Sequence, residues 1–205
     1  MGKKGIGFAG AHCTGKTTLV QNVSEQTGLP IIPFSVSRVF KDNGFSTNVL
    51  MSLEERMEIQ NCVIGEYEDT LDKWLTDNPD AKGFLIDRTP LDFLMYVYGD
   101  ISMTSLTDIE AHAVSTYADH CIALTDRYFG QVTVVQPGVP LEDRDGRGFM
   151  DATYIDKLNY IVLGALQRVA ANGMTHTFVI PQQQTVLTER IKMCYRRIVE
   201  DHYLD

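Results

Sequence analysis

Short apolar runs alternate along this chain with longer segments in which apolar residues recur at helical spacing. Runs of this length, bounded by glycine, proline and polar residues, are typical of strands that a parallel sheet buries on both faces. Strands that alternate with helices imply such a sheet, with helices covering each face. The pattern therefore predicts an α/β fold, a three-layer α/β/α sandwich around a parallel five-stranded sheet. The predicted strands are 5–9, 31–34, 83–87, 131–136 and 176–181.

The helical segments carry recognisable start signals. Apolar residues recur at the spacing of a helix from 53 to 76, and Ser52 with Glu55 forms a capping box ahead of them. Thr107 with Glu110 forms a second box, which opens a helix predicted to run to about residue 128. The other predicted helices run from 18 to about 27, from 152 to 172, and from about 185 to near the end of the chain.

Composition is typical of a globular protein and restricts its partners. The chain has 205 residues, of which 44% are hydrophobic, and this predicts a single domain, 1–205, with a core of its own. Its net charge of −9 does not suit a protein that binds duplex DNA or RNA through a basic surface. A small anionic ligand is compatible with this charge, because a local arginine and lysine cluster can bind phosphate on an acidic protein. We therefore expect small-molecule partners rather than nucleic acid.

The cysteines and the N-terminus indicate where such a protein works. The four cysteines are scattered and form no CxxC pair, which is typical of reduced thiols in the cytoplasm. The apolar run that follows the two N-terminal lysines is too short for a signal peptide or a membrane span. We expect a cytoplasmic protein without a membrane partner, and a homodimer is compatible with the sequence.

The segment 10–17 fits the pattern G-x-x-x-x-G-K-[ST] of a phosphate-binding P-loop. It lies between a predicted strand and a predicted helix, which is the context in which this motif is meaningful. Glycines let the backbone turn so that several N–H groups point at one anion, and the helix N-terminus adds partial positive charge. Lys16 can reach the β- and γ-phosphates of ATP, and Thr17 can offer its hydroxyl to Mg²⁺. The predicted ATP-binding residues are Gly10, His12, Cys13, Thr14, Gly15, Lys16, Thr17 and Thr18.

Charged residues follow two other predicted strands. Asp87 ends an apolar run, and with Thr17 it forms the predicted metal site for Mg²⁺; the alternative is a carboxylate that caps a turn. Arg88 and Arg38 each follow a strand, and guanidinium groups bind phosphate through two parallel hydrogen bonds. The alternative for each arginine is a surface ion pair. Because ligands bind at the carboxyl ends of parallel strands, we expect these side chains to lie near the P-loop.

A loop rich in charge and glycine follows the fourth predicted strand. Within 142–148 it carries Arg144 and Arg147 among flexible residues. A mobile lid, placed at about 137–151, can bring such arginines onto a transferring phosphoryl group and exclude water. The alternative is a solvated charged loop, and the sequence does not rank one arginine above the other.

These pieces resemble the P-loop nucleoside and nucleotide kinases, and most of all the thymidylate-kinase-like and phage-type deoxynucleoside monophosphate kinases. The chain also resembles the P-loop domains of nicotinamide riboside kinases. In this superfamily the Asp-Arg pair after the third strand binds Mg²⁺ and phosphates, and the lid supplies arginines. The resemblance implies these catalytic roles for Asp87, Arg88, Arg144 and Arg147, together with Lys16. The matching segments are GAHCTGKTT at 10–18, FLIDRTPLDFLMY at 84–96 and the arginine-bearing loop at 142–149.

The segment 31–38 bears on the identity of the acceptor. A hydroxyl acceptor benefits from a carboxylate base, and the deoxynucleoside kinases of this superfamily place a glutamate soon after the second strand. Here that stretch contains no acid and ends in Arg38, which suits an acceptor that is already a phosphate. The predicted acceptor-binding residues are Phe34, Arg38, Arg88 and Asp92. Phe34 can stack on the nucleobase of the acceptor. Asp87 or Asp92 can serve as the general base for a hydroxyl acceptor if that acceptor lies in another orientation.

The leading hypothesis is a kinase that uses ATP and Mg²⁺ to phosphorylate a (deoxy)nucleoside monophosphate to the diphosphate, in deoxynucleotide metabolism. A nucleoside or nicotinamide riboside kinase, with a hydroxyl acceptor, is the first alternative. A P-loop ATPase or switch protein is the second. A kinase acting on bases within DNA is disfavoured by the acidic charge.

Overall fold

Four parallel strands form the centre of the structure, a computed structural model that describes residues 5–46, 49, 51–101, 105–139 and 151–201. Their spatial order is β2-β1-β3-β4, and every neighbouring pair is parallel. The strands are β1 (Gly5–Ala9), β2 (Phe84–Asp87), β3 (Phe129–Val135) and β4 (His176–Ile180). The helices of the described residues are α1 (Lys16–Thr27), α2 (Val36–Asp42), α3 (Leu53–Asp77), α4 (Pro90–Asp100), α5 (Asp108–Tyr128), α6 (Ala152–Asn172) and α7 (Leu187–Glu200).

The helices cover both faces of the sheet, as predicted. Along β1, Ile6 and Phe8 point into a core shared with α1 and α7. Along β2, Phe84 and Ile86 point into a larger core on the other face, which α3, α4, α5 and α6 complete. This alternation follows from the two-residue period of a strand, which sends successive side chains to opposite faces. The predicted three-layer α/β/α fold is confirmed.

The second predicted strand, 31–34, is reduced to a single bridge. Ile31 pairs with Leu85 in parallel, Ile32 N–H donates to the Leu85 carbonyl at 2.9 Å, and Leu85 N–H donates to the Pro30 carbonyl at 2.8 Å. Pro33 then ends the pairing, because proline has no N–H to donate to a ladder. The described sheet therefore has four strands, with this segment lying beside β2.

Both predicted capping boxes, at Ser52 before α3 and at Thr107 before α5, are present. Two further helices, α4 and α2, have start signals that were not predicted from the sequence. A third capping box begins α4, where Thr89 is the N-cap, Pro90 the first helical residue and Asp92 the partner three residues on. Aspartate stands there in place of the usual glutamate or glutamine. The short helix α2 begins in the same way, with Ser35 accepting from the Arg38 N–H.

None of the described helices combines the length and the apolar composition that crossing a membrane requires. The exposed faces of the long helices are instead charged, as in the ion pairs of Arg127 with Glu68 and Asp72 that join α5 to α3.

Two glycines test how closely the sheet packs against the start of α4. A Cβ added at Gly7 would lie 2.4 Å from the Thr89 methyl group, whereas one added at Gly65, on α3, would meet nothing within 4 Å. We expect Gly7→Ala to lower the free energy of unfolding by about 1–3 kcal/mol through overpacking. Gly65→Ala should raise it by about 0.5–1 kcal/mol, because alanine loses less backbone entropy in a helix. Urea denaturation of both variants measures the difference, and equal stabilities would contradict this packing.

Candidate active site

The P-loop connects β1 to α1 and presents the uncapped start of that helix. Gly10 (φ 141°) and Gly15 (φ 84°) have backbone angles that favour glycine, and a Cβ at Gly10 would lie 2.5 Å from the Val135 carbonyl oxygen. Cys13 adopts a left-handed φ of 61°, which is uncommon for a residue with a side chain. Gly15 is the N-cap of α1, and no side chain among the described residues caps it. The first N–H groups of α1 are therefore available for an anion.

Lys16 lies inside the loop. It is 8% exposed, and its Nζ donates to the carbonyl oxygens of Gly10 at 2.5 Å and Ala11 at 2.8 Å. Burial lowers the pKa of Lys16, and the nearby carboxylate of Asp92, 3.8 Å from Nζ, opposes that shift. The loop's own carbonyl groups thus hold the ammonium within reach of any anion that the loop binds.

Asp92 fastens α4 to the P-loop. One carboxylate oxygen accepts from the Gly10 N–H at 3.1 Å. The other accepts from the Thr89 N–H at 2.8 Å and from the Thr89 hydroxyl at 3.2 Å, which completes the capping box of α4. Asp92 is 1% exposed, and this burial raises its pKa, while Lys16 opposes the rise. Both oxygens of Asp92 are thus engaged inside the protein, and its acceptor-binding role stays a prediction.

Thr17 and Asp87 meet at the end of β2, as the sequence predicted for a metal site. The Thr17 hydroxyl donates to Asp87 Oδ2 at 2.5 Å. Asp87 Oδ1 is buried and has no hydrogen-bond partner among the described residues. A hydroxyl and a carboxylate with a spare oxygen fit Mg²⁺, which takes one or two protein ligands and completes its shell with water and phosphate oxygens. Nowhere in the described residues do three or more His, Cys, Asp or Glu side chains cluster as a metal site.

The backbone of Arg88 is fixed from two sides. Its N–H donates to the Phe8 carbonyl at 2.9 Å, and its own carbonyl accepts from the Tyr67 hydroxyl at 3.0 Å. The residue has a left-handed φ of 93°. Its guanidinium charge adds to the lowering of the Lys16 pKa and opposes the rise in the Asp92 pKa. The catalytic and acceptor-binding roles of Arg88 stay predictions.

Arg38 and Phe34 lie further out, beside α3. Arg38 is 58% exposed and its Nη2 donates to Glu66 Oε2 at 3.0 Å, so the surface ion pair weighed as its alternative is present. Phe34 packs edge-on against Tyr67, with ring centroids 5.0 Å apart. Tyr67 in turn reaches Arg88 through its hydroxyl. Phe34 is thus connected to Arg88 through Tyr67, whereas Arg38 contacts α3 through Glu66.

Three aromatic rings that the sequence analysis did not single out as a group lie on the other side of the P-loop. His12 Nδ1 is 3.2 Å from the Tyr96 hydroxyl, and the two rings stack with centroids 6.3 Å apart. The Tyr154 ring lies 6.2 Å from His12, and its hydroxyl donates to Asp100 at 3.0 Å. Tyr96 follows Asp92 by four residues, so the two side chains lie on the same face of α4. This spacing could have indicated from the sequence that Tyr96 lies near the P-loop.

The remaining predicted site residues divide into two groups. Thr14 is buried and its hydroxyl donates to the Ala11 carbonyl at 3.1 Å, so it holds the loop together, whereas Thr18 is exposed on α1. The predicted lid arginines, Arg144 and Arg147, lie outside the described residues, as does most of the predicted lid at 137–151.

Because both oxygens of Asp92 accept hydrogen bonds, we expect this carboxylate to stabilise the fold. Asp92→Asn should lower the free energy of unfolding by about 1–3 kcal/mol, because an amide N–H₂ then faces a backbone N–H donor. Asp119→Asn is a matched control, since Asp119 is 66% exposed and pairs with Arg168 at the surface. Its effect should stay within about 0.5 kcal/mol. Urea denaturation measures both. An unchanged stability for Asp92→Asn, with a raised KM for the acceptor, would contradict this structural role and support the predicted acceptor-binding role.

Solved structures share this architecture at low sequence identity. Deoxyadenosine kinase from M. mycoides with bound dATP has a TM-score of 0.64 at 13% identity, covering 95% of this chain and 99% of that one. Thymidylate kinase from Candida albicans has a TM-score of 0.59 at 10% identity, covering 98% and 93%. Thymidylate kinase from Ehrlichia chaffeensis has a TM-score of 0.55 at 17% identity, covering 97% and 100%. The expected fold of the P-loop nucleotide kinases is thereby confirmed.

A search of curated proteins found no match. A sequence profile does match, with the description AAA domain, and it aligns with residues 6–161. That range begins in β1 and ends in α6, so it includes the P-loop, β2, α4 and β3. The chain belongs to this AAA domain family of P-loop proteins.

Proposed function

We propose that the protein is a kinase that transfers the γ-phosphoryl group of ATP to a (deoxy)nucleoside monophosphate in the presence of Mg²⁺, giving the diphosphate. The observation that carries the proposal is the contact between Thr17 and Asp87, which joins the start of the P-loop helix to a carboxylate with a buried, unpaired oxygen. The structures that share the fold are named deoxyadenosine kinase and thymidylate kinase, which supports phosphoryl transfer as the reaction class.

The donor triphosphate would occupy the P-loop. The N–H groups at the start of α1 bind its phosphate oxygens, and the helix dipole favours their negative charge. Lys16 would exchange its hydrogen bonds to the Gly10 and Ala11 carbonyl groups for the β- and γ-phosphates. Because the ammonium already lies inside the loop, it needs only to change hydrogen-bond partners when the donor binds.

Thr17 and Asp87 would hold Mg²⁺. The chemistry supplied by the ion at this position is neutralisation of charge on the β- and γ-phosphate oxygens. Asp87 accepts the Thr17 hydroxyl through one oxygen, which leaves the other for the ion or one of its waters. The pair also fixes the start of α1 relative to β2.

The acceptor would lie between Arg88, Arg38 and the aromatic side chains around them. Arg88 orients the acceptor phosphate beside the P-loop, and Arg38 leaves its exposed pair with Glu66 to join it. Phe34 offers an apolar face at the carboxyl end of the segment paired with β2. Arg144 and Arg147 would come from the lid to stabilise charge on the transferring group. Catalysis would then consist mainly of positioning and electrostatic stabilisation.

A hydroxyl acceptor, as in a nucleoside or nicotinamide riboside kinase, is a second candidate that one contact favours. Segment 31–38 contains no acid, but the fold brings the Glu66 carboxylate to 3.0 Å from Arg38. A carboxylate there can act as a general base for a hydroxyl group. Deprotonation by Glu66 would require Arg38 to bind elsewhere, so the two candidates assign opposite roles to one ion pair.

The coarser proposals follow from this function. We propose a single P-loop kinase domain that acts in the cytoplasm on small-molecule nucleotides. A homodimer is compatible with this proposal. An ATPase or switch protein would use the same P-loop but would release ADP at a rate that no acceptor stimulates.

The metal site yields the first prediction on activity. Asp87→Asn should lower kcat strongly and weaken the dependence of the rate on Mg²⁺, because an amide is a poorer ligand than a carboxylate for a hard cation. Rates measured across a Mg²⁺ titration, together with a thermal melt, provide the test. If Asp87 only caps a turn, the melting temperature falls and the Mg²⁺ titration is unchanged.

The Arg38–Glu66 pair separates the two acceptor classes. For a monophosphate acceptor, Arg38→Ala should raise KM for that acceptor roughly ten- to a hundredfold, which corresponds to the loss of about 1.5–3 kcal/mol from a charge-assisted pair. KM for ATP should stay nearly the same. Glu66→Gln should leave kcat intact, because it only releases Arg38.

The measurement is kcat/KM for each monophosphate and its parent nucleoside, with nicotinamide riboside included in the panel. A preference for the monophosphate supports the leading proposal. A preference for a nucleoside, together with a roughly hundredfold or larger loss of kcat in Glu66→Gln, would replace it with the hydroxyl-acceptor kinase.

A further inference from the structure

Arg190 lies in the first turn of α7 and is 2% exposed, which is rare for arginine. The sequence gives no sign of this burial, because α7 reads as a charged amphipathic helix at the end of the chain. The residue lies on the α1 and α7 side of the sheet and packs behind the P-loop rather than against solvent. No role in the phosphoryl transfer described above has been assigned to it.

The guanidinium of Arg190 joins the P-loop to the segment that follows β4. Its Nη1 donates to the Thr14 carbonyl at 2.8 Å, across 176 positions of sequence. Its Nε donates to the Gln184 carbonyl at 2.5 Å. A planar guanidinium that binds two carbonyl oxygens in this way restricts the position of both backbones. The P-loop is therefore held from behind by a residue of the last helix.

The contact with Thr14 controls the direction of the next N–H group. The peptide between Thr14 and Gly15 is trans, so its carbonyl and its N–H point in opposite directions. Arg190 binds the carbonyl from the side of α7, so the Gly15 N–H points away from α7. In a P-loop, an N–H group at this position can donate to an anion. A Cβ at Gly15 would lie 3.7 Å from Nη1, so the guanidinium also lies directly against this turn.

The third nitrogen of Arg190 is buried and unpaired. Nη2 has no hydrogen-bond partner among the described residues. Gly138 closes over it, because a Cβ added there would lie 3.2 Å from Nη2. Burial lowers the pKa of Arg190, and among the described side chains only the Cys194 thiol opposes that shift. A buried cation is unfavourable unless a negative charge lies near it, and the described residues supply no carboxylate partner for Arg190. An anion in the adjacent P-loop would supply such a charge.

We propose that Arg190 is a positioning residue of the P-loop, which orients the Thr14–Gly15 peptide toward the donor phosphates and whose buried charge those phosphates neutralise. This inference rests on the proposed function in one respect, namely that the P-loop binds a nucleoside triphosphate. It adds that triphosphate affinity depends on a residue that does not contact the acceptor.

Calorimetric titration of the whole protein tests the proposal, with Mg²⁺ and a non-hydrolysable ATP analogue as one probe and inorganic tripolyphosphate as the other. The variants are Arg190→Met, which removes the charge, and Arg190→Lys, which keeps it without the planar fork. Arg168→Met is the matched control, because Arg168 is 53% exposed and pairs with Asp119 at the surface. Lys16→Ala is the control for the P-loop itself.

We expect Arg190→Met to weaken the binding of both probes by about ten- to a hundredfold, and Arg190→Lys to weaken it less. In turnover assays KM for ATP should rise while KM for the acceptor stays unchanged, and Arg168→Met should behave as the wild type. A lower melting temperature with unchanged affinity for both probes would mean that Arg190 only supports the fold, and would overturn the proposal. Where Arg190→Met fails to fold, the same comparison is made with Arg190→Lys.

The wild-type titration distinguishes this inference from the function on which it rests. If the wild type binds both probes, Lys16→Ala loses them and the Arg190 variants bind as the wild type does, the inference fails and the kinase proposal stands. If the wild type and Lys16→Ala bind neither probe, the assignment of the P-loop as a triphosphate site fails, and the role of Arg190 is overturned with it.

Discussion

The parallel pairing of β1 with β2 is the contact on which the geometry of the site depends. Its register places Phe8 opposite Asp87, so the P-loop leaves one strand where the carboxylate ends the next. Adjacent strands lie about 4.8 Å apart, which brings the Thr17 hydroxyl within hydrogen-bond distance of Asp87 once α1 has begun. Asp92 then fixes the relation of loop and sheet, because it binds the Gly10 N–H while capping α4. A shift of this register by one residue would separate all these contacts.

Much of this arrangement depends on residues that are neighbours in the sequence, and those parts of the fold were predicted correctly. The P-loop, the strand before it and the capping boxes at Ser52 and Thr107 depend on residues close together in the chain, and each was predicted. The end of β2 at Asp87 was predicted for the same reason, since an apolar run that stops at a carboxylate is a local signal.

Long-range contacts account for what was missed. The contact of Asp92 with the Gly10 N–H spans 82 residues, and nothing near Asp92 in the sequence indicates it. Residues 31–38 contain no acid, but the fold brings Glu66 of α3, 28 residues after Arg38, into contact with Arg38. The burial of Arg190 depends on the packing of α7 behind a loop at the other end of the chain. Such partners follow from the topology of the fold rather than from any pattern along the sequence.

Pro33 has an effect at the border of the sheet as well as on strand length. The segment at Ile31 covers the outer side of β2 with a single bridge, and the prolines at 30 and 33 remove N–H groups from that border. An exposed row of unpaired backbone groups is a template on which a strand of another molecule can add, and proline blocks this form of aggregation. The bridged segment thus keeps strands of other molecules from pairing at this border, and it leads the chain into α2, which carries Arg38.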